Sequence, residues 1–133
     1  MSSQDLKKNP RVIIIQKLYS KNLNFDAEIE FPKHRFKKFI KDIVLGSLER
    51  KELIDETIKL HLSEDIDFKR TEKLIIILLQ AAIFELLYKP ETSVNIIINE
   101  YLNAAKAFIN TKQKNYLNAL LDKISIKLRT SNE

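Results

Sequence analysis

Residues 74–88 read LIIILLQAAIFELLY, and only Gln80 and Glu85 break the apolar run. A helix with one apolar stripe lies on a surface, whereas a helix apolar nearly all round must be covered on every side. The stretch is shorter than the roughly 20 residues that a membrane span needs, so it reads as the buried central helix of a helical domain. Pro90 ends it, and an acidic break at 63–67 precedes its start near Thr71.

The pattern stays helical in both directions. Upstream, Asn9 caps and Pro10 opens a helix with Val12, Ile15, Leu18 and Tyr19 on one face, widened by Ile13 and Ile14. Residues 20–31 show no clear period and read as a connection. Pro32 opens a second helix bearing Phe36, Phe39, Ile40, Ile43 and Val44 at spacings of three and four, with Lys33, Arg35, Lys37, Lys38 and Lys41 opposite. A third helix, with Leu53, Ile54, Ile58, His61 and Leu62 on its apolar side, follows Gly46. Downstream, Thr92 or Ser93 caps a helix with Ile97, Ile98, Tyr101, Leu102, Ala105, Phe108 and Ile109 in one stripe. A polar break at 110–114 then leads to a last helix bearing Leu117, Leu120, Leu121, Ile124 and Leu128. The expectation is an all-α chain of six to seven helices, a single domain over residues 1–133.

Composition removes whole classes of chemistry. With one glycine, Gly46, the chain cannot build a phosphate-cradling glycine loop or a nucleophile elbow. With no cysteine it has no disulfide, no thiol nucleophile and no cysteine metal site. His34 and His61 are the only histidines, and neither has a carboxylate or second histidine at ligand spacing on a helix. The reading is therefore no enzyme, no cofactor and no metal. The N-terminus, MSSQDLKKNPR, lacks the apolar stretch of a secretory signal, which points to a cytoplasmic protein with no membrane segment.

Charge is unevenly placed. The net +5 divides into +6 over residues 1–41, −5 over 42–105 and +4 over 106–133. Basic ends suit a polyanion and an acidic middle suits a basic protein. Lys7, Lys8 and Arg11 sit at the first turn of the first helix, followed by Lys17 and Lys21. Beside them Tyr19 offers a ring on which a base can stack, and Tyr116 does the same in the basic C-terminal segment. Glu85 is a charge on an otherwise apolar helix, so it must reach the edge, be paired internally or meet a partner.

Three stretches taken together carry a resemblance. They are PRVIIIQKLYS (10–20), QAAIFELLYKPE (80–91), and SVNIIINEYLNAAKAF (93–108) followed by NYLNALLDKI (115–124). In this order they resemble the transcription antitermination factor NusB family, from about Lys7 to Leu128. Its most specific part is Ile98-Asn99-Glu100 with residues 105–108, then Asn118 and Leu121-Asp122-Lys123. The chain departs from the family pattern in the N-terminal arginine cluster, reduced to Lys7, Lys8 and Arg11. It departs also at Gln80, Ser93, Tyr116 and Ala119, where the family has Arg, Pro, Phe and Gly.

The resemblance implies a NusB-like fold of two small packed helical bundles. It implies binding of boxA-type single-stranded RNA in ribosomal RNA transcripts, together with NusE, a small-subunit ribosomal protein. The pair would then join an antitermination complex that helps RNA polymerase resist termination. Carried over, Lys7, Lys8 and Arg11 would contact phosphates, Tyr19 and Tyr116 would lie near bases, and Asn118 and Lys123 would join the RNA-binding set. Glu85 would face NusE. The alternative is a NusB-like helical RNA-binding or protein-interaction module with a different partner. Monomer and homodimer are both open.

Overall fold

The computed structural model describes residues 8–129, which form six helices and no strand. These are α1 (Pro10–Leu23), α2 (Lys37–Glu49), α3 (Lys51–Leu62), α4 (Lys73–Tyr88), α5 (Val94–Ala105) and α6 (Thr111–Leu128). The all-α reading holds, and α4 is its centre. Packed neighbours run α1–α2–α3–α6–α5 and back to α1, and every one of the five also touches α4. That ring explains why α4 is apolar all round: its residues 75–79 and 81–86 are all buried, Glu85 among them. The N-terminal pair α1 and α2 and the C-terminal set α3, α5 and α6 share α4 through one continuous cluster of buried side chains.

Local chemistry sets the helix ends. The Asn9 side chain accepts from the backbone N–H groups of Arg11 (2.8 Å) and Val12 (3.3 Å), with Pro10 in the first turn. Ser93 caps α5 by accepting from Ile96 N–H. At α6 the Asn110 side chain accepts from Gln113 N–H while the Gln113 side chain accepts from Asn110 N–H, a reciprocal capping box. The expected polar break at 110–114 is therefore the first turn of α6. Phe108 and Ile109, expected at the end of the α5 stripe, lie in the turn after Ala105 and pack half-buried on the core. Two further boundaries differ. The second helix starts at Lys37, well after Pro32, and Gly46 lies inside α2 rather than at its end.

The C-terminal end of α4 is closed from outside the helix. Arg129 donates from Nε to the Leu86 carbonyl (2.8 Å), from Nη1 to Thr92 (2.6 Å), and from Nη2 to Lys89 (2.9 Å) and Glu85 (3.3 Å). One guanidinium thus ties the last turn of α4 to the turn that follows it. The Glu85 and Lys89 carbonyls also accept backbone N–H groups, from Lys89 and Thr92, so Arg129 adds to those bonds and brings the Leu86 and Thr92 carbonyls a side-chain donor. Arg129→Ala is expected to lower unfolding free energy by about 1–3 kcal/mol in urea denaturation, with an unchanged slope. Among the described residues no helix is long and apolar enough to cross a membrane.

Candidate nucleic-acid interface

The N-terminal end of α1 meets the C-terminal half of α4 through one ion pair. Arg11 Nε donates to Glu85 Oε2 at 2.9 Å and Nη2 to Oε1 at 2.8 Å, a two-pronged contact. Glu85 is fully buried and Arg11 is 9% exposed. The guanidinium also lies over the rings of Phe39 on α2 (5.0 Å) and Tyr101 on α5 (5.5 Å), so four helices converge on it. Burial alone would lower the Arg11 pKa, but the hydrogen bonds and charge of Glu85 outweigh it and hold the group above its ordinary value. Burial, reinforced by the Glu85 carboxylate, pushes the Tyr101 hydroxyl well above the usual phenol range, so it stays protonated.

One expectation is corrected by this pair. Glu85 does not face a partner protein: its carboxylate has no exposed surface and is satisfied by Arg11. Arg11 commits Nε and Nη2 to Glu85 inside the fold, and its side chain also lines a groove with Pro10, Phe36, Phe39 and Glu100. The internal pairing, one of three options open for Glu85, is the one found.

The remaining residues divide into two groups. Lys7 lies outside the described residues. Lys8 is exposed, and its carbonyl accepts from His34 Nε2 at 2.8 Å. His34 Nδ1 accepts from Phe36 N–H at 2.9 Å, which assigns the ring proton to Nε2 and ties the α1–α2 connection to the start of α1. Tyr19 is half-buried against the core. At the other end of the molecule, Tyr116 donates its hydroxyl proton to the Asp65 carbonyl and Lys123 pairs with the Asp65 carboxylate, both at 2.6 Å. That hydrogen bond raises the Lys123 pKa. Tyr116 and Lys123, seven apart, share a face of α6, while Asn118 is half-buried some 200° round the helix from Tyr116. Arg129 touches the carbonyl of Glu85, so Tyr116 lies thirteen residues, roughly 20 Å of helix, from the end where Arg11 sits. Arg11 and Arg129 both touch Glu85, one its carboxylate and the other its backbone carbonyl, but Tyr116, Asn118 and Lys123 are not beside Lys8.

One feature near Lys8 escaped the sequence reading. Phe36, expected on the buried face of the second helix, is the residue before α2 and is 46% exposed. Arg35 lies over its ring at 5.3 Å and the His34 ring is 6.0 Å away. Phe36 lines a groove of about 360 Å³ with Pro10, Arg11, Phe39 and Glu100. Lys33, Arg35, Lys37, Lys38 and Lys41 are exposed around it in the sequence KHRFKKFIK, whose alternation of cations and rings was the available signal. Among the described residues no cluster of His, Asp and Glu could hold a metal ion.

Comparison with known proteins places this architecture. The NusB family model matches residues 5–125. The transcription antitermination protein NusB of Rickettsia akari is 33% identical over 104 residues, covering 78% of this chain and 64% of that protein. The NusB of Carboxydothermus hydrogenoformans is 32% identical over 95 residues, 71% of this chain and 65% of that one. The chain thus spans about two thirds of the length of these relatives, and 84% of the NusB of Novosphingobium aromaticivorans at 25% identity. A solved structure of Thermotoga maritima NusB superimposes with a TM-score of 0.76 over 89% of both chains at 20% identity, a likeness of fold. With the family model running over nearly the whole chain and the same helical fold beneath it, the chain belongs to the NusB family.

Proposed function

We propose that the chain is a transcription antitermination factor that binds boxA-type single-stranded RNA of ribosomal RNA transcripts together with the ribosomal protein NusE. In this role it helps RNA polymerase resist termination as part of a larger complex. The observation that carries the reading is the family match from residue 5 to residue 125. The exposed Lys8, Arg35 and Lys37 beside an open aromatic ring support it, because phosphates and bases ask for that combination. Tyr19, Tyr116, Asn118 and Lys123 remain proposed RNA contacts, the last three on a stretch of α6 apart from the Lys8–Phe36 region. With Glu85 enclosed, a basic protein partner is offered other carboxylates: Glu52, Glu56, Glu64, Asp67 and Glu72 are exposed on α3 and the turn that follows it.

The test is fluorescence anisotropy of a labelled boxA-type RNA, titrated at several salt concentrations with and without purified NusE, beside a scrambled RNA of equal length. Tighter binding to the boxA-type RNA, strengthened by NusE, is expected. Affinity should fall with salt with a log–log slope of about −0.7 per phosphate neutralised. Substituting Lys8, Arg35 and Lys37 together with Glu is expected to flatten that slope by roughly two units and to weaken both RNAs alike. Equal binding to both RNAs with no effect of NusE would favour a NusB-like module with a different partner. The enclosure of Arg11, which thins the N-terminal cluster further, is the observation on that side.

A further inference from the structure

Phe36 is a large apolar side chain left open at a place where the fold has no need of it. It precedes α2, makes no side-chain cap, and is flanked in sequence by Arg35 and Lys37. Arg35 stacks its guanidinium over the ring at 5.3 Å. The ring lines the 360 Å³ groove whose other walls are Pro10, Arg11, Phe39 and Glu100. We infer that this groove is a nucleobase pocket in which Phe36 is the stacking platform for one unpaired base of the bound RNA. The inference rests on the RNA-binding reading above and names the residue through which a base is held.

Three physical points favour a base over other occupants. An aromatic ring with a cation over it is a surface on which a flat π-system stacks, and every base has such a face. The pocket itself does not suit phosphate, because Glu100 stands in its wall and the Arg11 charge is already neutralised by Glu85. The charges that suit phosphate lie just outside, on Lys8, Lys33, Lys37 and Lys38, all exposed. Base inside and backbone outside is the arrangement that single-strand binders use. An uncharged protein side chain would also find apolar walls here, but it would leave the surrounding cations unused, whereas a nucleic-acid backbone places a phosphate beside every base.

The experiment compares wild-type protein with Phe36→Ala and Phe36→Tyr in the anisotropy titration, at three or more salt concentrations. Circular dichroism melting serves as the folding control. Because Phe36 is half exposed, its truncation should leave the melting temperature nearly unchanged. Phe36→Ala is expected to weaken RNA binding about tenfold while leaving the salt slope as it was, since no phosphate contact is removed. Phe36→Tyr keeps the ring and should bind within about twofold of wild type. If wild-type protein binds RNA and Phe36→Ala binds it equally well, the pocket assignment is overturned alone, and Phe36 becomes available to a protein partner instead. A flattened salt slope in Phe36→Ala would equally overturn it, by showing that the loss comes from displaced cations. If wild-type protein binds no RNA, both this inference and the antitermination reading fall.

Discussion

Arg11→Met is expected to destabilise the fold by about 3–5 kcal/mol, the largest effect of any single substitution considered. The reason is the position of the partner left behind. Glu85 is fully buried on the helix that every other helix packs against, so without Arg11 its charge has neither water nor counter-charge. Met fills much of the same volume, which separates loss of the ion pair from the opening of a cavity. In thermal unfolding followed by circular dichroism, this corresponds to a melting temperature lower by roughly 10 °C or more. The double variant Arg11→Met with Glu85→Leu removes both charges and replaces them with apolar groups of similar size. It should recover most of the loss, because a buried ion pair replaced as a unit is often neutral. The difference between the double variant and the sum of the single ones measures the coupling. A single Arg11→Met within about 0.5 kcal/mol of wild type would show that Glu85 does not depend on this guanidinium.

The same variant separates structural from RNA-binding roles. If Arg11 is an internal strut, folded Arg11→Met at low temperature keeps the salt slope of RNA binding and loses stability. Were it a phosphate contact, the slope would fall by about 0.7 and the melting temperature would stay. The geometry, with both prongs on Glu85, expects the first outcome.

How much of this was legible depended on whether the signal was local. The central helix was plain because an apolar run with two polar residues has one reading, burial on all sides. The cap Asn9 was legible too, and Ser93 as one of two neighbouring candidates with Thr92, since capping acts over two or three residues. The Asn110–Gln113 box was equally local, yet a window of five polar residues was read as a break. Polar residues at a helix start are what the unpaired N–H groups require. The Arg11–Glu85 pair was not legible as a pair: 74 residues separate the partners, and only the packing of α1 on α4 selects among the options open to Glu85. Phe36 was misplaced by periodicity, which assigned it to the apolar face of a helix that starts one residue later. Family resemblance misdirected the reading in one respect, by turning Glu85 outward. Motif correspondence carries residue identity but not the direction of a side chain.

Gly46 gives the second large effect. The sequence pattern places a helix after Gly46, but the residue sits inside α2 with no unusual backbone angle, where glycine is a poor helix former. Alanine there would gain about 0.5–1 kcal/mol from helix propensity if nothing opposed it. What opposes it is Phe84 on α4, whose ring tip would overlap an added Cβ. The ring has nowhere to retreat. It is 5% exposed, stacks on Tyr88 with centroids 5.0 Å apart, and is overlaid with Tyr88 by the Arg50 guanidinium at the end of α2. Gly46→Ala must therefore push α2 from α4 or force the ring off its rotamer, and is expected to be net destabilising by about 2 kcal/mol. The decisive arm is the background variant Phe84→Leu, which is itself destabilised but frees the space above Gly46. In that background Gly46→Ala should turn neutral or mildly stabilising, because propensity then acts unopposed. The same penalty in both backgrounds would mean that the conflict lies elsewhere along α2. A sign reversal would show that the single glycine of this chain is there for close approach: it sets how near α2 stands to α4, and with it the position of Phe39 beneath Arg11.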